Sequence, residues 1–380
     1  MDKSVVDHPV LAQLDRELYA LVNGVEILEA VAPKNFQQQK QAFFDSKCTL
    51  NPAFVYEQHK IDLFQRKRAL YQLPVENLPD PDLIQLYSEV IESYVDKLDQ
   101  YRSVGTSDFV YDSLRYYGEP TVKDIRNAHF VLHVPNELGV EDSVPVDAEG
   151  ILAHLKAFAD MQGYQYELVL SEGMIANALV SGTRVRINTR AKVCQTEVYA
   201  LAHHELGVHL VTTLNARQQP LNILSLGSPV NTTTQEGLAI LCEYLAGYLT
   251  VPRLKVLALR VIAVQSMLVE KDFKRTFQLL KEQYKVDDQL AFTICARVYR
   301  GGGFTKDYLY LQGFHQMLNA YENCPDFHHL LAGKVSIEQL PLVTRLINKG
   351  YLNAPTYISP AISQPSPIEG VSRFMAHAIK

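Results

Sequence analysis

Ala202-His203-His204-Glu205-Leu206-Gly207-Val208-His209 lies inside an apolar run that reads as helix. On a regular α-helix, two histidines four positions apart sit about 40° from each other around the axis. That shared face is why His-Glu-x-x-His on a helix holds zinc. Here the second histidine comes one position late, giving His-Glu-x-x-x-His from His204 to His209. Five positions along a regular α-helix separate two side chains by about 140°, too far to share one ion. The pair works only if the helix carries a one-residue π-bulge that absorbs the insertion, and such bulges favour functional sites. Gly207 lies within the inserted span, where glycine tolerates irregular backbone at little steric cost.

A catalytic zinc usually takes three protein ligands and keeps one position open. Downstream, Thr232-Thr233-Thr234-Gln235-Glu236-Gly237-Leu238-Ala239 opens a second helix after a loop rich in glycine, serine, proline and asparagine. A threonine there can cap the helix, and Glu236 falls in its first turn. The 27 positions from His209 to Glu236 suit a helix end, a loop and a helix returning antiparallel. The expected centre is one Zn2+ per chain held by His204, His209 and Glu236, with Glu205 as the base that takes a proton from the attacking water. Singly, these residues have plainer readings, as packed histidines or as a glutamate favoured by the helix dipole. Their combination in adjacent helices is what points to metal chemistry. His203 points about 100° away from His204 and reads as structural; His315, His328 and His329 have no partner pattern.

Composition narrows the class. The formal net charge of −6 argues against bulk-charge gripping of nucleic acid or an anionic membrane. Cys48, Cys194, Cys242, Cys295 and Cys324 are an odd, scattered set with no paired spacing, so they read as reduced, mostly buried thiols of an intracellular protein. The opening Met1–Asp7 lacks the basic-then-apolar pattern of a secretory signal, and 254–268 is too short and too interrupted to span a bilayer. The expectation is a soluble, cytoplasmic protein with no nucleic-acid or membrane partner.

The pattern of apolar positions places helices at 9–46 (broken at Ala32-Pro33), 58–71 and 80–103, the last opened by Pro79-Asp80-Pro81-Asp82. Residues 104–126 read as a connection. Strands are expected at 129–134, 164–170 and 184–188, with a helix at 147–162. Helices follow at 195–215, 232–250, 252–269, 272–284, 287–299, 306–322 and 336–348, and the proline-marked end reads as an extended tail. The fold class is α+β, predominantly α: a zincin-like metallopeptidase core with a small mixed sheet and flanking helical lobes. The corresponding division is 1–126 helical region, 127–250 catalytic core, 251–354 helical lobe and 355–380 tail.

His204–His209, the stretch Leu214-Asn215-Ala216-Arg217-Gln218-Gln219-Pro220 and Gln235-Glu236-Gly237-Leu238-Ala239 together resemble the QEGLA-motif family. Its bacterial members carry the label flavohaemoglobin expression-modulating, and its animal members are the microtubule-associated tyrosine carboxypeptidases. Pro33-Lys34-Asn35 with Asn51-Pro52, and Gly303-Phe304-Thr305-Lys306-Asp307, extend the likeness over nearly the whole chain. The resemblance implies a zinc carboxypeptidase that removes a C-terminal residue, tyrosine in the animal members. It places the metal ligands on His204, His209 and Glu236 and the base on Glu205. The inserted-residue motif is also similar to that of dipeptidyl peptidase III. The animal enzymes carry a long basic extension; this chain starts almost at once with its helical region and is net acidic, which leaves tubulin a doubtful substrate.

Releasing a C-terminal residue from a peptide or protein requires a cation for the free carboxylate, and the arginine fork suits it best. Arg184, Arg186 and Arg190 around the last strand, with Asn188 between them, and Arg300 and Lys306 near Gly301-Gly302-Gly303 are the candidates. The strand 184–188 precedes the histidine helix as the edge strand of a zinc peptidase does, and could pair with the substrate backbone. Tyr299, Tyr308 and Tyr310 are candidate oxyanion donors. Two other readings compete: an endopeptidase or aminopeptidase on the same site, and a non-catalytic regulator whose metal is closed in by four protein ligands.

Overall fold

The computed structural model describes residues 8–57, 62–135, 144–227 and 231–380. Residues 1–7, the expected helix start at 58, and 228–230 of the loop before the Glu236 helix lie outside the described residues. Among the described residues the chain is mostly helical, with two small sheets. Helix Pro9–Val22 buries Leu11, Leu14, Leu18 and Val22, the three-and-four spacing of one helical face. Helix Pro81–Ser103 begins as its sequence requires: the Asp80 carboxylate accepts from the Asp82 N–H and Pro81 occupies the first turn.

Several expectations are corrected. The run 129–134 is not a strand but the end of helix Val122–His133. A capping box at its start, in which Thr121 and Asp124 exchange bonds, commits the segment to helix. Its buried positions Asp124, Ala128 and Val131 then follow helical spacing. The connection expected over 104–126 contains helix Phe109–Tyr117. The 9–46 segment is three helices, Pro9–Val22, Ile27–Ala30 and Phe36–Asp45. The end of the chain is not extended: helices Pro360–Ser363 and Gly370–Ala378 fold back, and Ala361, Met375, Ala376 and Ile379 join the core. Pro360 sits in a first helical turn, where proline starts a helix rather than ending one.

The strands are β1 (Val146–Asp147), β2 (Glu167–Ser171), β3 (Ala178–Ser181), β4 (Arg184–Asn188) and β5 (Lys192–Val193). β1 pairs antiparallel with β5. The larger sheet has the order β2–β4–β3, with β4 parallel to β2 and antiparallel to β3. Segment 184–188 is therefore the central strand and not the expected edge, because a tight turn at Gly182 (φ 62°) folds β3 back onto it. Its inward residues Val185 and Ile187 are fully buried. Behind the sheet, helix Ala148–Met161 packs Ile151 and Leu155 into the same core.

All five cysteines are free; Cys242 and Cys295 are buried and the other three only half-buried. Among the described residues no helix is long and apolar enough to cross a membrane.

Candidate metal centre and its cleft

Helix Gln195–Leu201 runs without a break into a π-helical stretch, Ala202–Leu210, and on into helix Val211–Arg217. The Val211 N–H reaches back five residues to the Leu206 carbonyl, so the insertion between His204 and His209 is absorbed in the backbone. In such a turn positions i and i+5 stack, and the two imidazoles come together with ring centres 5.1 Å apart. Gly207 serves a different purpose from the one its flexibility suggested. Its φ is not in the left-handed region, but a Cβ there would stand 3.0 Å from the Ser359 hydroxyl. The glycine makes room for the C-terminal segment pressed against the bulge.

Helix Asn231–Leu245 supplies Glu236. Its Oε2 lies 3.7 Å from the Nε2 atoms of both His204 and His209. The atoms with which the three residues could hold a metal ion all fall within 4.8 Å of one another. A tetrahedral zinc with bonds of about 2.0–2.1 Å would set its ligand atoms roughly 3.3 Å apart, so a small contraction closes this set around an ion. Two neutral nitrogens and one carboxylate oxygen are also the donor chemistry that zinc takes.

The depth of Glu236 is set by a helix crossing. Helix Leu309–Asn323 approaches so closely that a Cβ on Gly237 would lie 2.3 Å from the Gly313 carbonyl oxygen, and one on Gly313 2.2 Å from the Thr233 oxygen. Just before that helix, a 3-10 turn, Thr305–Tyr308, carries Lys306. The Lys306 ammonium donates to Glu236 Oε1 at 2.6 Å and to the Tyr310 hydroxyl at 2.9 Å.

Glu243 went unread in the sequence. It sits seven positions after Glu236, two turns on and on the same face, a spacing that could have shown it. Its buried carboxylate accepts from His204 Nδ1 at 2.8 Å and takes both arms of Arg253, at 3.0 and 3.1 Å. A carboxylate so placed fixes the tautomer and ring plane of a histidine, as outer partners do where a histidine binds metal. Burial disfavours a charged His204, but Glu236 and Glu243 on either side outweigh it and raise the imidazole to about 10. Burial likewise opposes ionisation of Glu243, and Arg253 and His204 pull it down to about 2. The pocket around His204 thus favours positive charge.

Glu205 is buried, and its Oε2 has no hydrogen-bond partner among the described residues. It faces a cleft of about 790 Å³ that also admits His204, His209 and Glu236. His203 turns away and packs against Phe158 and Tyr248, and burial lowers it to about 4, as a structural histidine. Cys242 is turned from the centre, with its thiol 3.4 Å from the Ser359 hydroxyl.

The expected substrate residues divide. Arg186, Arg300 and Lys306 line the cleft; Asn188 and Arg190 do not. Asn188 spends its amide on the Met174 and Ala176 carbonyls and its oxygen on the Arg190 N–H, shaping the loop between β2 and β3. Arg186 pairs with Glu29 at 2.9 Å and Lys306 with Glu236. Of the tyrosines, Tyr310 lines the cleft, while Tyr299 bonds Thr276 and Tyr308 bonds the Tyr117 carbonyl. Arg253, Arg260 and Arg297 also line it, and nothing in their local sequence distinguished them.

Residues 41–380 match the family model described as microtubule-associated tyrosine carboxypeptidase. The chain belongs to that family. Its curated relatives include microtubule-associated tyrosine carboxypeptidase 1 of Mus musculus, 25% identical over 331 residues that cover 83% of this chain and 61% of the relative. The Homo sapiens protein of the same name is 25% identical over 333 residues, covering 83% and 60%, and that of Rattus norvegicus 24% over 333, covering 83% and 61%. The chain thus spans about 60% of the length of these family members.

Proposed function

We propose that the chain is a zinc-dependent carboxypeptidase acting on a peptide or protein C-terminus. The observation that carries this reading is the convergence of His204, His209 and Glu236 beside the unpartnered Glu205 oxygen in one cleft. When bound there, zinc supplies Lewis acidity toward the scissile carbonyl. The residues of the chain do the rest. His204, braced by Glu243, and His209 and Glu236 hold the metal. Glu205 Oε2 accepts the proton of the attacking water and returns it to the leaving amine. Tyr310, whose hydroxyl is gathered among Lys306 and Arg297, faces the same cleft as an oxyanion donor. The free edge of β3, which lines the cleft through Ala178 and Leu179, takes over from β4 as the strand along which a substrate backbone lies.

The names of the relatives favour tyrosine as the residue released. Their microtubule association is not extended to this chain, which carries a net charge of −6 and matches about 60% of their length. A zincin-like core, the QEGLA-motif branch on the strength of 235–239, and a cytoplasmic location in keeping with five free cysteines belong to the same reading. The regulator reading asked for a closed set of four protein ligands; among the described residues the convergent group holds three.

The test is cleavage of peptides that differ in their last residue, by zinc-supplied protein and by Glu205→Gln, followed by mass spectrometry. Loss of single C-terminal residues by the wild type, cut by about 10²-fold or more in the variant with zinc retained, is expected. Internal or N-terminal cuts would replace the carboxypeptidase with another peptidase. Full activity in Glu205→Gln would overturn the mechanism.

A further inference from the structure

Among the described residues six cationic side chains line the cleft, and four are already engaged. Arg186 pairs with Glu29, Arg253 with Glu243, and Lys306 with Glu236. Arg297 grips Asp307 through two arms of its guanidinium, Nε to Oδ2 and Nη2 to Oδ1. That leaves Arg260 and Arg300. No hydrogen bond among the described residues engages either guanidinium, and the Nε of each is buried without a partner. Arg300 is 8% exposed. Arg260 comes no closer to a carboxylate than 3.9 Å, at the Asp307 oxygen that Arg297 already holds.

A buried charge without hydrogen-bonded partners is costly, and proteins keep one where a ligand completes it. Both arginines line the same cleft. Arg260 lies over the Tyr310 ring at 5.1 Å and Arg300 over the Phe304 ring at 4.9 Å, so aromatic faces hold the two forks in place. Both feel the Arg297–Asp307 pair between them, and burial, the larger influence, depresses the proton affinity of each. Arg297 cannot take the role without releasing Asp307, nor Lys306 without releasing Glu236.

We infer that Arg260 and Arg300 are the anion site of the cleft and hold the free carboxylate of the substrate's last residue. The ligand class rests on the carboxypeptidase reading; the presence of an anion site does not. Arg260 enters here from the structure alone, and the neighbouring Arg297, Lys306 and Arg186 are left in internal ion pairs.

Calorimetry on zinc-supplied Glu205→Gln protein would compare one peptide ending in tyrosine, as the free acid and as its C-terminal amide. The free acid should bind at least about tenfold more tightly. Adding Arg260→Gln or Arg300→Gln should shrink that ratio, and both together should bring it to one with amide binding preserved. Because each substitution removes a buried charge that no hydrogen bond holds, the variants should unfold at the same temperature or higher, whereas a structural role would lower it. The inference is overturned if acid and amide bind equally or not at all, or if the acid keeps its advantage in the double variant. Failure of the peptidase reading shows elsewhere: a wild type that cleaves nothing, yet holds the free acid through these two arginines, keeps the anion site and loses the enzyme.

Discussion

Lys306 holds one oxygen of Glu236 at 2.6 Å while the other oxygen of that carboxylate faces His204 and His209. Removing one member of a buried ion pair typically costs about 3–5 kcal/mol, because the survivor is left uncompensated. Lys306→Met should therefore unfold at lower temperature than wild type in the presence of a chelator. Zinc would then compensate a bare carboxylate, so its stabilising shift should be larger in the variant. Calorimetric scans with and without zinc decide it; equal zinc shifts would sink the idea.

Glu243 accepts from His204 and is itself buried, paired with the half-buried Arg253. Glu243→Gln keeps the shape, removes the charge and weakens the brace on the imidazole. Outer partners of this kind are worth about 10–100-fold in metal affinity. Competition against a chromogenic chelator should show a loss in that range, and an unchanged affinity would mean that Glu243 serves only to neutralise Arg253.

Gly237→Ala tests the helix crossing. Its Cβ would meet the Gly313 carbonyl oxygen at 2.3 Å, backbone that cannot rotate aside. Overpacking of this sort costs about 1–3 kcal/mol. Denaturant unfolding should report that loss, and zinc affinity should fall with it, because Glu236 is the adjacent residue. A variant that keeps full stability would show that the two helices separate freely.

Asp82 joins helix Pro81–Ser103 to helix Leu340–Asn348 and the lysine that follows, through Arg345 at 2.8 Å and Lys349 at 2.7 Å. Hydrogen bonds from Arg345, and then from Lys349, hold its carboxyl down to about 2. A depressed folded-state value contributes stability above the unfolded value near 4, lost as pH falls toward 2. The gap in unfolding temperature between wild type and Asp82→Asn should stay level above about pH 5 and close between about pH 4 and pH 2. It should be modest, since both cations are half in solvent. A gap that persists at pH 2 would point to packing instead of charge.

The histidine helix was legible because its spacing permitted one geometry: two histidines five positions apart share a face only across a bulge, and Ala202–Leu210 has it. Glu236 was legible as an acid near a helix start, although the helix opens at Asn231 and puts it in the second turn, not the expected first; Glu243 two turns later needed only the same face to be followed further. The strand read at 129–134 failed because a short apolar run carries no period of its own. The decisive signal was Thr121 and Asp124, several residues upstream. The place of β4 in its sheet depends on a pairing order that alternation within one strand does not encode. Arg260 and Arg300 stand apart only because their neighbours' charges are engaged elsewhere, which is a property of the assembled wall.

The wall behind the bulge comes from the last part of the chain. Asn215 accepts from the Thr356 and Tyr357 N–H groups, and Ser359 sits against Gly207 and Cys242. Residues 140 or so positions apart must meet before the histidines are backed, a long loop to close. A ribosome that has delivered the histidines and Glu236 has therefore not yet delivered the segment that packs behind them. We expect a nascent chain stopped at residue 354 to hold zinc weakly, and a stalled-chain metal assay would read that directly. The order of synthesis would then leave the bulge without its backing until residues 356–359 have been made.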